Sequence, residues 1–141
     1  EVLRSGSVTS IWAIGDFVHT ALSIADVFKK KYGLEISVVN ARFIKPLDKE
    51  TLFEHANNHQ SIITLEDNVL MGGFGSSILE ALEEKSISID VKRFGWPDQF
   101  IEHGNSVNEL RSKFGLDRES LTQSIEEFLS LEDQVATPIF A

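Results

Sequence analysis

Thr64-Leu-Glu-Asp-Asn-Val-Leu-Met-Gly-Gly-Phe-Gly-Ser-Ser-Ile-Leu-Glu80 decides the fold. An apolar strand enters this stretch, Gly72, Gly73 and Gly75 turn the chain, and a helical period follows. In an α/β sheet such a junction lies at the carboxyl edge of the strands, where ligands and partner domains dock, and it sets polar groups beside a helix N-terminus. The lead-in Ile62-Ile63-Thr64-Leu65 is nearly continuous, which predicts a central strand covered on both faces.

Working outward, the apolar runs Val8 to Ile14, Ile36 to Val39 and Ile87 to Val91 read as further strands, separated by amphipathic segments. Ile87-Ser-Ile-Asp-Val91 alternates cleanly and predicts a half-covered edge. After the first run, Val18, Ala21, Leu22, Ala25, Phe28 and Tyr32 share one helical face, and Gly33 supplies the stop. Asp16 is placed to cap that helix. Pro46 and Asp48 open a short helix through about Asn57. Ser106-Val-Asn-Glu109 has capping-box spacing, Gly115 closes that helix after Phe114, and Asp117 starts the last one. There Leu121, Ile125, Phe128 and Leu129 predict a stripe laid against the sheet. This β-α rhythm implies a parallel sheet flanked by helices. With no internal repeat or low-complexity segment, residues 1–131 read as one domain and 132–141 as an extended tail.

The chain has 141 residues, 42% of them hydrophobic, enough for one domain with a real core. A net charge of −9 argues against nucleic acid or an anionic membrane surface as partner, because like charges repel along the approach. The chain has no cysteine, so disulfides, thiolate metal sites and cysteine nucleophiles are excluded, which is compatible with a cytoplasmic location. No apolar run approaches bilayer thickness. The first residue is Glu1, without an initiator methionine or a signal region, and the expectation is a piece of something longer.

Candidate chemistry is sparse. Gly73, Phe74, Gly75 and Ser76, facing Gly15 and Asp16 across a switch-point crevice, could hold an anion or effector on helix N-terminal amides. Against this, the turn is neither a dinucleotide fingerprint nor a P-loop, and Glu66 and Asp67 put negative charge where a phosphate would sit. A tight turn that lets the helix pack on the sheet is the favoured reading. Gly15-Asp16 and Asn57-Asn58 do not form a thiamine diphosphate motif, since Phe17 stands where a glycine is needed and the interval is too long. His55 and His59 share a helix face, yet lack a third ligand; one exposed histidine and one at a helix end is the preferred reading. Arg42 and Lys45 follow a strand and could bind a phosphate or carboxylate; internal pairing of Arg42 with Asp16, Glu66 or Asp67 is the reading leaned to. No nucleophile elbow is present. No catalytic, cofactor-binding or metal residue is therefore assigned.

Three blocks carry a resemblance: Arg42-Phe-Ile-Lys-Pro-Leu-Asp48, Thr64 through Gly72, Gly73, Phe74 and Gly75 to Ser76, and Gly95-Trp-Pro-Asp-Gln-Phe-Ile-Glu-His-Gly104. With Gly15 they resemble the C-terminal domain of transketolase-like thiamine diphosphate enzymes, most closely the 1-deoxy-D-xylulose-5-phosphate synthases, from about Val2 to Leu129. The resemblance implies a three-layer α/β/α fold, with a mostly parallel five-stranded sheet and a short antiparallel first strand near Val2 to Arg4. It also implies a domain without catalytic residues of its own. Thiamine diphosphate and magnesium belong to the preceding domains of the full-length enzyme, a homodimer; this domain packs on those domains and supports the dimer. Arg42, Phe74, Trp96, Pro97, Phe100 and His103 are the expected interface. Two other readings stand beside it: a small-ligand regulatory module, and the C-terminal domain of a transketolase or of a 2-oxo acid dehydrogenase beta subunit, against which the Pro97-Asp98-Gln-Phe100 block speaks.

Overall fold

A computed structural model describes residues 1–104 and 106–131, so the tail expected at 132–141 lies outside the described residues. The chain divides into two compact units, Glu1–Ile101 and a second beginning at Glu102. The first unit carries strands β1 (Val2–Arg4), β2 (Thr9–Ala13), β3 (Ser37–Asn40), β4 (Ser61–Val69) and β5 (Asp90–Trp96), with helices α1 (Phe17–Tyr32), α2 (Lys49–Asn58) and α3 (Phe74–Glu84). The sheet order is β1-β3-β2-β4-β5. β1 lies antiparallel on β3, and the other neighbours are parallel, with Trp12 in register with Val39 and Thr64.

Two-residue alternation divides the core. Trp12, Val39 and Ile62 pack with Leu52 and Ala56 of α2 and with Phe74, Ile78, Ala81 and Leu82 of α3. The intervening residues Ile11, Val38 and Ile63, all fully buried, point to the other face, and α1 packs on β2, β3 and β4 with Ala21, Ile24, Ala25 and Phe28 buried. Burying such a side chain stabilises the fold by roughly 1.5–3 kcal/mol. α1 ends as its sequence dictates: Gly33 adopts φ 68, and its amide bonds back to the Lys29 carbonyl.

Three boundaries differ from the sequence reading. β4 continues past Leu65 to Val69, because pairing with β5 extends to Val69 and Trp96. β5 starts only at Asp90; Ile87 lies just past the end of α3, and its amide bonds back to the Leu82 carbonyl. Pro46 precedes α2 rather than opening it, and Asp48 is the N-cap, its carboxylate accepting the Thr51 amide at 3.1 Å. Asp16, at the head of α1, makes no capping bond with its side chain, contrary to its expected role.

In the second unit, α4 (Val107–Lys113) opens on a complete capping box: the Glu109 amide donates to Ser106 Oγ at 3.2 Å and the Ser106 amide to the Glu109 carboxylate at 3.1 Å. Asp117 caps α5 (Arg118–Phe128) through the Ser120 amide and hydroxyl, and Leu121 and Ile125 of the predicted stripe are buried.

Candidate functional site

The glycine turn is built around Glu66. This residue is fully buried on β4, and its Oε2 accepts the Phe74 amide at 2.6 Å while Oε1 accepts the Gly75 amide at 3.0 Å. A carboxylate on the first amides of α3 complements both the unpaired donors and the positive end of the helix dipole. The glycines make the approach feasible. A Cβ on Gly73 would collide with the Glu66 carboxylate and sit 2.5 Å from the Val69 carbonyl; one on Gly75 would come within 2.7 Å of Thr64 Oγ1 and 2.8 Å of Arg93 Cδ.

The outside of the turn is laced to β5. Ser76 Oγ donates to the Leu70 carbonyl at 2.9 Å, and Arg93 Nη1 donates to Ser76 Oγ at 3.1 Å and to the Leu70 carbonyl at 3.3 Å. The Leu70 amide bonds the Trp96 carbonyl, and Trp96 Nε1 donates to Asp67 Oδ1 at 2.7 Å. The donors that an anion would need at Phe74, Gly75 and Ser76 are thus engaged from within. Gly15 opens elsewhere, onto a cleft it shares with Asn40 and Arg42.

The expected interface set separates. Phe74 is a correction: it is fully buried in the core cluster with Trp12 and Ile78, because Gly72 at φ 69 turns the chain so that the aromatic after Gly73 points inward. Trp96 and Pro97 are half-buried, while Arg42, Phe100 and His103 are exposed. Outside the expected set, Met71 is 74% exposed at the tip of the turn. Its only signal was a large apolar side chain set immediately before paired glycines.

Arg42 does not form the expected ion pair with Asp16, Glu66 or Asp67. Glu66 is engaged by amides and Asp67 by Trp96, and among the described residues Arg42 has no carboxylate partner; its guanidinium lies 5.8 Å from the Phe43 ring centre. Of the two histidines, one departs from expectation. His55 is buried, not exposed, and its Nδ1 shares a hydrogen bond with Ser10 Oγ at 2.7 Å. His59 caps the end of α2 as read, donating from Nδ1 to the His55 carbonyl at 2.8 Å and pairing through Nε2 with Ser37 Oγ at 2.8 Å. The rings stack at 4.8 Å. Burial first, then the neighbouring His59, lowers the His55 pKa below its usual 6.5.

Among the described residues no group of three or more His, Cys, Asp or Glu is placed to hold a metal ion. The head of α3 gives a diphosphate no seat: its first amides carry the Glu66 carboxylate, whose charge would repel it.

A mixed sheet with an antiparallel edge strand, helices on both faces and a carboxylate-filled turn at the carboxyl edge defines a mostly parallel α/β domain of the transketolase type. The chain belongs to the family described as "Transketolase, C-terminal domain", whose model matches residues 1–121. It is 43% identical over 125 residues to the 1-deoxy-D-xylulose-5-phosphate synthase of Caldanaerobacter subterraneus subsp. tengcongensis, covering 89% of this chain and 20% of that one. It is 47% identical over 116 residues to the synthase of Heliobacterium modesticaldum, covering 82% of this chain and 18% of the relative. The chain therefore spans about a fifth of the length of these relatives. Among solved structures it is similar to a split-gene transketolase captured as an inactive β4 tetramer, with TM-score 0.80 and 30% identity over 94% of this chain and 41% of the other. A 2-oxoglutarate:ferredoxin oxidoreductase from Magnetococcus marinus, at TM-score 0.60 and 11% identity over 92% of this chain and 19% of its own, shares the fold.

Proposed function

We propose that residues 1–131 act as the C-terminal, non-catalytic domain of a cytoplasmic 1-deoxy-D-xylulose-5-phosphate synthase. The whole enzyme condenses pyruvate with glyceraldehyde 3-phosphate for isoprenoid precursor synthesis. Thiamine diphosphate and magnesium, held by the preceding domains, supply the decarboxylation chemistry. This domain packs on those domains and supports the homodimer; it meets neither nucleic acid nor membrane.

The observation that carries this reading is Glu66. The glycine turn spends its amides on the chain's own carboxylate, so this part of the carboxyl edge is taken up in holding the head of α3 to β4. Synthase relatives more than four times as long support the same reading.

The test has two arms. The 141-residue chain, assayed with pyruvate, glyceraldehyde 3-phosphate, thiamine diphosphate and magnesium, should show no turnover and bind no cofactor by calorimetry. The same sequence within a full-length synthase should support activity. Turnover by the 141 residues alone refutes the proposal.

A further inference from the structure

Because β1 runs against the rest of the sheet, the amino end of the chain lies at the edge where β2 and β3 end. Glu1 and Asn40 clasp each other there, the Asn40 amide donating to the Glu1 carbonyl at 2.8 Å and the Glu1 nitrogen to the Asn40 carbonyl at 2.9 Å. A cleft of about 590 Å³ opens on this edge, lined by Leu3, Gly15, Leu22, Asn40, Arg42 and Phe43 among others. Its apolar rim is left in water, with Leu3 40% and Phe43 59% exposed. Its cation is Arg42, exposed and without a carboxylate partner among the described residues, in a chain with 22 acidic and 13 basic side chains. The Arg42 backbone, at φ 60, is fixed by its amide donating to Asn40 Oδ1 at 3.0 Å.

We propose that this cleft seats the polypeptide immediately preceding Glu1 in the full-length synthase, which folds back to place an apolar side chain among Leu3, Leu22 and Phe43 and a carboxylate on Arg42. The proposal rests on the assignment of this chain as the C-terminal domain of such an enzyme. Two facts select this occupant. The relatives are more than four times as long, and a chain that continues before Glu1 leaves from the same edge as the cleft. A segment tethered there binds intramolecularly, at high effective concentration, and an arginine without a carboxylate partner among the described residues matches a carboxylate bidentately. A small anion would satisfy Arg42 and leave the apolar rim in water.

The experiment is hydrogen exchange on the full-length synthase carrying this domain, comparing wild type with Arg42→Gln and Phe43→Ser. In both variants the amides preceding Glu1 should exchange about tenfold faster, with β2 and β4 unchanged. Arg42→Glu should be rescued by changing one carboxylate of that segment to arginine. Unchanged exchange before Glu1, no rescue, or cleft protection that depends on protein concentration, as a second copy would give, overturns the docking proposal and leaves the domain assignment standing. A reading frame that encodes no synthase domains ahead of Glu1 overturns both.

Discussion

Glu66 and Phe74 are joined by a 2.6 Å hydrogen bond from the Phe74 amide to the Glu66 carboxylate, a contact that closes the head of one helix with a side chain from the neighbouring strand. Both residues are fully buried. Glu66→Ala should therefore destabilise the chain by roughly 2–3 kcal/mol, since it leaves two amides unsatisfied away from water. Glu66→Gln should recover only part of this, because its NH2 group would face one of the two N–H donors. Urea denaturation of the 141-residue chain reads both values, and equal stability of wild type and Glu66→Ala would sink the assignment of Glu66 as the keystone of the turn.

The adjacent glycines should respond unequally. At Gly73 a methyl meets the Glu66 carboxylate and the Val69 carbonyl, whereas at Gly72 it meets nothing within 4 Å and only the positive φ of 69 opposes it. Gly73→Ala should cost roughly 2–4 kcal/mol, through overpacking and a displaced cap, against about 1 kcal/mol for Gly72→Ala. Thermal melts of the two variants, side by side, decide this; a larger loss at Gly72 contradicts it.

Local rules carried much of the fold. Gly33 ends α1 in the left-handed region, Asp48 and Asp117 cap their helices, and Ser106 and Glu109 close a capping box, all determined within four residues along the chain. The cap of α3 escaped because it comes from a strand residue eight positions earlier, a distance only the topology closes. The direction of Phe74 escaped for a related reason: an aromatic beside glycines at a sheet edge looks exposed until the left-handed Gly72 turns it inward. β4 runs on through Glu66-Asp67-Asn68, where the apolar pattern stops, because its ladder is held by pairing with β5. Of the expected interface, Phe100 is fully exposed, since it follows the end of the ladder and nothing in the first unit covers it.

His55 gives the chain a pH dependence with a definite sign. Its folded pKa lies below the ordinary 6.5, chiefly from burial, so the unfolded chain binds the proton more readily. This contribution is fully present above the unfolded value and is lost as pH falls through the folded one. Urea midpoints should drop between about pH 7.5 and about pH 5.5 in the wild type, and His55→Gln should flatten that slope. An unchanged slope in the variant counts against His55. Asp48, lowered from 3.8 chiefly by the Thr51 amide, adds a separate loss at more acidic pH that His55→Gln leaves in place.

Phe74 and Phe100 pose the sharpest contrast for the proposed domain role. The first is fully buried among Trp12, Ile62 and Ile78, and the second is completely exposed. Phe74→Ala should therefore lower stability by roughly 3–5 kcal/mol through the cavity it leaves. Phe100→Ala should leave the melting temperature of the 141-residue chain within error, because an exposed ring gives the isolated fold nothing to lose. In a full-length synthase the ranking should reverse for assembly. If Trp96, Pro97 and Phe100 lie in the core of a subunit or domain contact, Phe100→Ala and Trp96→Ala should each weaken the dimer by about 2 kcal/mol, roughly thirtyfold in dissociation constant, as truncated aromatic anchors do. Analytical ultracentrifugation across a dilution series measures that shift. A dimer as tight as wild type in both variants would place the subunit contact on another surface.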